Sequence, residues 1–301
     1  MLLSTLVVNA GASIDDGGDA EGNAPPYLAV RVTRLPSSVL AAFLQPAKVT
    51  ASEQQLSVGL HRFRFESASI DLGIDYQYTR FEYAGAGTRN RDLHRLQVPI
   101  RFNWRPGAWR YRGYLAPGVS TSSNVYKDFL NRGSQEDLHL SGRFEAQRGQ
   151  NSSHWFVGAA FDQSFGRSRL YPVVGAEFPV TDRLHLRLAF PDPGASFAAT
   201  GRQSIIARLF PAGHSWHVVA DDFNSDFEYR AKALRSQLTW SILLTKALTI
   251  DISGGYEFRR HHRFTDDRGE RIRTDVNDQW LFAIGFRFGS SPLPYANGSG
   301  F

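Results

Sequence analysis

The feature that most constrains this chain is an alternation of apolar and polar residues with a period of two. It recurs from residue 27 onward in runs of about ten residues, each closed by a turn. Leu234, Leu238, Trp240, Ile242 and Leu244 share one face, opposite Arg235, Gln237, Thr239 and Ser241. Leu248, Ile250, Ile252, Tyr256 and Phe258 alternate in the same way with Thr249, Asp251, Ser253, Glu257 and Arg259. Earlier runs repeat the pattern: Ile70 to Tyr78, Leu96 to Trp104, Leu138 to Phe144 and Trp155 to Phe161. Successive side chains of a strand point to opposite faces, so this period is a β signal.

Alternation alone leaves open where the apolar face points: inward in a soluble sandwich, outward to lipid in a membrane barrel. Three features favour lipid. The runs imply strands of about 10–14 residues, above the soluble mode of about 5–6 and long enough for a tilted membrane strand. Aromatic residues (Tyr83, Trp104, Trp109, Trp155, Trp280) mark strand ends, as an interfacial girdle requires. Connections alternate between short (66–68, 105–108, 148–153, 166–169, 180–182, 211–213, 245–247) and longer (84–92, 124–136, 191–202, 222–228, 261–275). Only 166–169 breaks the rule, being short where a long loop is expected. The expected fold is all-β, a closed antiparallel transmembrane β-barrel of about 12–14 strands. Thirteen strands are read from 55–65 to 276–288, and Tyr27 to Leu35 supplies a fourteenth for even closure; twelve is the fallback. Ser37 to Thr50 is left as an external loop or an internal plug.

Composition narrows the classes further. No apolar stretch approaches the roughly 18 residues of a transmembrane helix, while the ordinary mean hydropathy of −0.32 is compatible with alternating barrel strands. Cysteine is absent, which excludes disulfides, thiolate metal sites and Cys nucleophiles. The net charge of +5 is carried mainly by scattered Arg, with Lys only at Lys48, Lys127, Lys232 and Lys246. No basic run or helical stripe points to nucleic acid.

At the N-terminus, Leu2-Leu3-Ser4-Thr5-Leu6-Val7-Val8 followed by Ala10-Gly11-Ala12 has the form of a signal-peptide end without its positive start; an apolar tail is the other reading. No linker splits the rest. The expected organisation is a signal-like, flexible leader at 1–26, one barrel domain at 27–288 and an extension at 289–301.

Tyr171-Pro172-Val173-Val174-Gly175-Ala176-Glu177-Phe178 is a Pro–apolar–Gly strand. After a tight turn, Leu184-His185-Leu186-Arg187-Leu188-Ala189-Phe190 ends in Phe190-Pro191-Asp192-Pro193. With Gly255 to Arg260 and the aromatic last strand, this resembles a group of uncharacterised bacterial outer-membrane β-barrel proteins over roughly residues 55–288. The resemblance implies a barrel in the bacterial cell outer membrane, in contact with its lipid, and no known activity. The last strand also resembles the signal recognised by the barrel-assembly machinery: Trp280, Phe282, Ile284, Phe286 and terminal Phe288 on one face. It departs from the usual form in that thirteen residues follow Phe288.

Catalytic patterns are weak. Asp221-Asp222 and Asp266-Asp267, the latter beside His261 and His262, could activate water, but the surrounding Arg-His-His-Arg run reads better as a hydrated loop. Ser153 and His154 are adjacent on a strand and point apart, so they form no dyad. His261 and His262 lack identifiable partners for a metal, and Asp15-Asp16-Gly17-Gly18-Asp19 lacks calcium-loop spacing. Gly85-Ala86-Gly87 precedes no helix, so it forms no phosphate loop. The expectation is no catalytic residue, metal or cofactor.

The polar face is the better candidate. Arg101, Arg105, Arg143, Arg235, Arg259 and Arg287 are expected to line the lumen with Asp71, Asp75, Asp162, Asp251, Glu145 and Glu257. Opposed charges either select solutes in an open pore or pair with one another and fill the interior. The Arg excess makes a small anionic solute the expected cargo of an open pore. The readings are therefore a passive channel or solute transporter, a plugged structural or adhesive barrel, and an outer-membrane hydrolase, in that order, with oligomeric state open.

Overall fold

The structure is a computed structural model that describes residues 27–41, 47–85, 88–150, 153–220, 225–265 and 269–289. The leader, most of the C-terminal extension and the acid pairs at 221–222 and 266–267 lie outside these residues. Strand segments begin with β1 (Leu28–Leu40), β2 (Ala47–Arg64), β3 (Ala68–Ala84), β4 (Arg91–Gln97), β5 (Ile100–Trp104) and β6 (Trp109–Ser122). Two single-turn helices, α1 (Ser123–Tyr126) and α2 (Phe129–Arg132), and a 3-10 turn (Gln135–Asp137) precede β7 (Leu138–Gln150). Then come β8 (Ser153–Asp162), β9 (Arg169–Pro179), β10 (Leu184–Phe190), β11 (Gly194–Thr200), β12 (Gln203–Pro211) and β13 (His214–Ala220). The last four are β14 (Ser225–Thr245), β15 (Leu248–Thr265), β16 (Arg271–Val276) and β17 (Gln279–Phe288).

All seventeen segments belong to one sheet, and β1 pairs antiparallel with both β2 and β17, which closes the ring. Three staves are each made of two segments: β4 with β5 and β16 with β17 face the same two neighbours, while β12 and β13 share β14 and differ on the other side, where β12 meets β11 and β13 meets β6. The described residues thus form fourteen staves. Each break has a local cause. Pro99 separates β4 from β5 because proline has no N–H for the ladder, although its carbonyl still accepts from Gly73 N–H at 3.0 Å. The break between β16 and β17 faces a bulge at Arg259, which adopts φ 54°, while the break at Ala212-Gly213 faces a register shift between Lys232 and Leu234.

The count of fourteen matches the sequence reading through two errors that cancel. The expected turn at 211–213 lies inside one stave, since Ala212 N–H still donates to Ala233 O at 3.0 Å. The expected loop 191–202 contains β11, whose Gly194-Ala195-Ser196 start carries too little apolar contrast to show alternation. Ser37 to Thr50 is mostly strand rather than loop or plug, as β1 runs to Leu40 and β2 starts at Ala47. The loops expected at 222–228 and 261–275 are likewise shortened by β14, β15 and β16.

On the outside, a band of apolar side chains has no protein cover. Phe282 is 62% exposed and Ile284 46%, with Val32, Leu56, Ile74, Phe144, Val157, Trp240 and Ile252 also exposed around the ring. An uncovered apolar girdle of this extent belongs in lipid. Trp104, Trp109, Tyr111 and Trp155 pack together at the short-turn end, with Trp109 and Trp155 centroids 5.6 Å apart, as one aromatic edge of the band. Trp280 stacks edge-on with Tyr256 at 5.1 Å near the other edge. Tyr83, expected in the girdle, instead points inward and bonds the Tyr229 hydroxyl.

Above that band the alternation changes phase. In β2, Leu56, Val58 and Leu60 face out, yet farther up Ala47, Val49 and Ala51 face in, each under 4% exposed, while Lys48 faces out. In β14, Leu238 and Trp240 face out, whereas Tyr229 is fully buried inside and Arg230 lies outside. β15 and the last stave switch too: Ile252 and Phe282 face out, Phe264 and Val276 in. One set of strands therefore builds two barrels stacked end to end. The lower one is apolar outside and polar inside; the upper one is polar outside and apolar inside, a cap standing clear of lipid. β8 to β11, at 7 to 11 residues, span only the lower barrel.

Candidate functional site: the barrel interior

The cap is narrow. Above the tips of β8–β11 the ring consists of β1, β2, β3, β4, β6, β13, β14, β15 and β16. It is closed by Leu40 against Val276 and by a parallel bridge from His217 to Thr121. These nine strands are close to the roughly eight whose interior side chains can fill, and here side chains reach across it. Phe81 from β3 meets Trp216 of β13 at 6.1 Å, Tyr229 of β14 at 5.1 Å and His262 of β15 at 5.2 Å, none of them ladder neighbours of β3. Tyr83 reaches across to Phe264 at 5.3 Å, and Leu40, Val49, Leu93 and Val218, each at most 2% exposed, complete the cluster. These contacts run across the lumen rather than along its wall.

Directly beneath lies a charged layer. Arg235 Nε donates to Glu257 Oε1 at 2.9 Å, and Arg235 Nη2 reaches Glu53 Oε1 across the barrel at 3.0 Å. Arg260 pairs with Glu257 at 3.1 Å and donates to Ser38 Oγ at 2.9 Å. Arg95 follows, bonded to His214 Nδ1 at 2.8 Å, His139 Nε2 at 3.2 Å and Ser141 Oγ at 3.2 Å, with no carboxylate within 4 Å among the described residues.

The lower barrel holds a second charge cluster. Asp192, 3% exposed in the connection between β10 and β11, faces three guanidinium groups: Arg208 at 3.4 Å, Arg187 at 3.5 Å and Arg143 at 3.7 Å. The Phe190-Pro191-Asp192-Pro193 segment thus carries a carboxylate into the interior. Nearby, Glu177 pairs with Arg187 and with His154 at 3.1 Å.

Of the residues expected in the lumen, Arg143, Glu145, Arg235 and Glu257 are inward and paired as described or with each other. Arg101 lies 3.8 Å from Asp75, Arg287 is 2.8 Å from Asp251, Asp71 pairs with Arg62, and Asp162 accepts from Tyr171 Oη at 2.5 Å. Two sit elsewhere. Arg105 is exposed in the turn after β5, and Arg259 is exposed on the bulge that gives its inward place to Arg260. Glu53, Arg260 and Asp192 were not singled out from sequence. The first lay in a stretch assigned to neither strand nor loop, the second is displaced by a bulge, and the third sat in an expected external loop. Trp280, Phe282, Ile284, Phe286 and Phe288 all face outward on β17, between 37% and 64% exposed.

Beside the cap, a cavity of about 300 Å³ is bordered by Asp137, His139, Gln163, Trp216 and His217. The Asp137 carboxyl, fully buried, bonds His217 Nδ1 at 2.8 Å. Burial alone would raise its pKa, but hydrogen bonding from Thr121, the Ser134 N–H and His217 outweighs it and holds the group below the ordinary carboxylate value. Glu136, His217 and Asp226 place three potential metal-ligand atoms within 4.8 Å of one another.

The chain matches no protein-family model and no curated protein. Its fold is shared with solved outer-membrane barrels. An outer-membrane channel from Pseudomonas putida F1 aligns with 92% of this chain and 100% of its own length, at a TM-score of 0.52 and 9% identity. A mutant of the monoaromatic hydrocarbon channel TodX covers 90% of this chain and 91% of its own, at 0.46 and 9% identity. The β-domain of the Bordetella autotransporter BrkA covers 89% and 99%, at 0.39 and 13% identity. At 9% identity the likeness to the Pseudomonas putida F1 channel is one of fold. With the uncovered apolar girdle, it makes the chain an outer-membrane β-barrel of the Gram-negative type.

Proposed function

We propose that this protein is a blind-ended outer-membrane barrel, a structural or surface-presenting protein whose lumen does not conduct. The observation that carries this is the cap. Phe81, Trp216, Tyr229 and Phe264 meet across the lumen from β3, β13, β14 and β15. They belong to wall strands, not to a loop or an inserted segment that could swing aside. Opening the passage would require unpacking the cap's own core. This favours the plugged reading over the open Arg-lined pore.

A second reading attaches to the lower chamber. Arg95, held by two histidines and a serine, is a buried cation with no carboxylate within 4 Å among the described residues and would favour a small anion entering from the short-turn side. The two readings are compatible, since such an anion would bind without crossing.

The test is solute retention. Vesicles carrying the refolded protein are loaded with a small sugar and with chloride, and release is followed against protein-free vesicles. The closed cap predicts equal retention of both solutes. Release that scales with protein content overturns the proposal.

A further inference from the structure

The polar outside of the cap is uneven, and its most charged part is a rung of arginines. Arg230 of β14 is the ladder partner of Arg263 of β15, and Arg263 is in turn the partner of Arg273 of β16. Three guanidinium side chains therefore stand side by side on one outer face of the sheet. Arg271, two residues along β16, shares that face; the next rung down is Lys232, His261 and Asp275, in which Asp275 is bonded to His261 at 3.0 Å, and exposed Arg259 lies below it. Like charges directly opposite one another on a sheet are destabilising. Glu228 pairs with Arg230, but among the described residues no carboxylate lies within 4 Å of Arg263, Arg271 or Arg273.

The position of the rung narrows its counter-charge. The outward apolar band on β15 ends at Phe258, and Arg263 lies five residues farther up. At about 3.3 Å per residue and a tilt of about 40°, that is roughly 12 Å above the lipid edge. The paired strand ends Leu28 and Phe288 and the short turns 65–67, 105–108, 180–183, 201–202 and 246–247 are at the opposite end, so this end faces outward from the cell. We propose that the Arg230–Arg263–Arg273 rung binds the phosphate groups of an outer-leaflet glycolipid, whose headgroup rises from the membrane beside the cap. Guanidinium forks suit phosphate oxygens, and a row of them suits a headgroup with several phosphates.

The test compares the protein with Arg263→Gln and Arg273→Gln variants in detergent, using lipopolysaccharide and the same lipopolysaccharide after removal of its phosphates. Removing each arginine is expected to weaken binding about fivefold, and the dephosphorylated lipid to bind neither protein form measurably. Without lipid, both variants should unfold at the same urea concentration as the parent or higher, because each removes repulsion. That combination separates a binding rung from a structural one. Equal affinity of parent and variants overturns the proposal, as does lipid-free destabilisation of the variants. A stabilisation by 10 mM inorganic phosphate (roughly a physiological level) that matches the lipid's would also overturn it, by making free phosphate the occupant.

Discussion

Arg235 is the cation that joins opposite walls beneath the cap, and its removal has a calculable consequence. It lies 3.0 Å from Glu53 and 2.6 Å from Glu257, and is 7% exposed. At an effective dielectric constant of about 20, one such contact amounts to roughly 5 kcal/mol of attraction. Much of that offsets the cost of taking the ions from water, so the pair itself contributes little net stability. Losing one partner is different, because the other charge stays buried alone; such changes cost about 3–5 kcal/mol. In Arg235→Met, Glu257 keeps Arg260 at 3.1 Å, whereas Glu53 loses the only cation within 4 Å of it among the described residues. The single variant should therefore unfold about 3–5 kcal/mol more easily, and Arg235→Met with Glu53→Leu should recover to within about 1 kcal/mol of the parent. Urea unfolding in lipid vesicles, followed by tryptophan fluorescence, measures both. A single variant that costs under about 1 kcal/mol, or a double variant that costs more than the single, refutes the reasoning.

Asp192→Asn leaves three guanidinium groups facing one another without their carboxylate and should cost about 3–5 kcal/mol, while Asp71→Asn, at a half-buried pair, should cost under about 1 kcal/mol in the same assay. Ile284→Arg places a charge on the lipid face of β17, where it should cost about 2–4 kcal/mol and lower the yield of folded barrel on a heat-shift gel. Gly213 has room for no side chain, since a Cβ there would lie 2.3 Å from Gly166 N and 2.6 Å from Ser164 O. Gly213→Val should lift the 163–168 loop from the barrel, seen as faster hydrogen exchange in that loop with little change in the apolar band.

The barrel itself was legible because lipid-facing and interior positions differ so strongly in polarity along Leu248 to Phe258 and Trp280 to Phe288. The cap was not, although its signal was present. In β2 the apolar residues occupy odd positions at Val49 and Ala51 and even positions at Leu56 and Val58. A phase change of this kind marks the height at which a strand leaves the membrane, and the alternation at Ala47 to Ala51 was too weak in apolar bulk to be seen as strand. The interior charges were legible wherever strict alternation held, as at Glu257 and Arg287. They were misplaced where a bulge shifted the register, so that Arg259 stood in for Arg260. Ladder partners such as Arg230, Arg263 and Arg273 cannot be read from spacing at all, because register between strands depends on turns and bulges.

The central claim is that the cap closes the lumen, and the most direct measurement is current through a planar lipid bilayer containing the refolded protein. Insertion is verified independently, and the parent is compared with a Phe81→Ala, Trp216→Ala, Tyr229→Ala variant shown to be folded. A closed cap predicts no discrete steps from the parent and measurable steps from the variant. Stable steps from the parent, of the same size as the variant's, would contradict it.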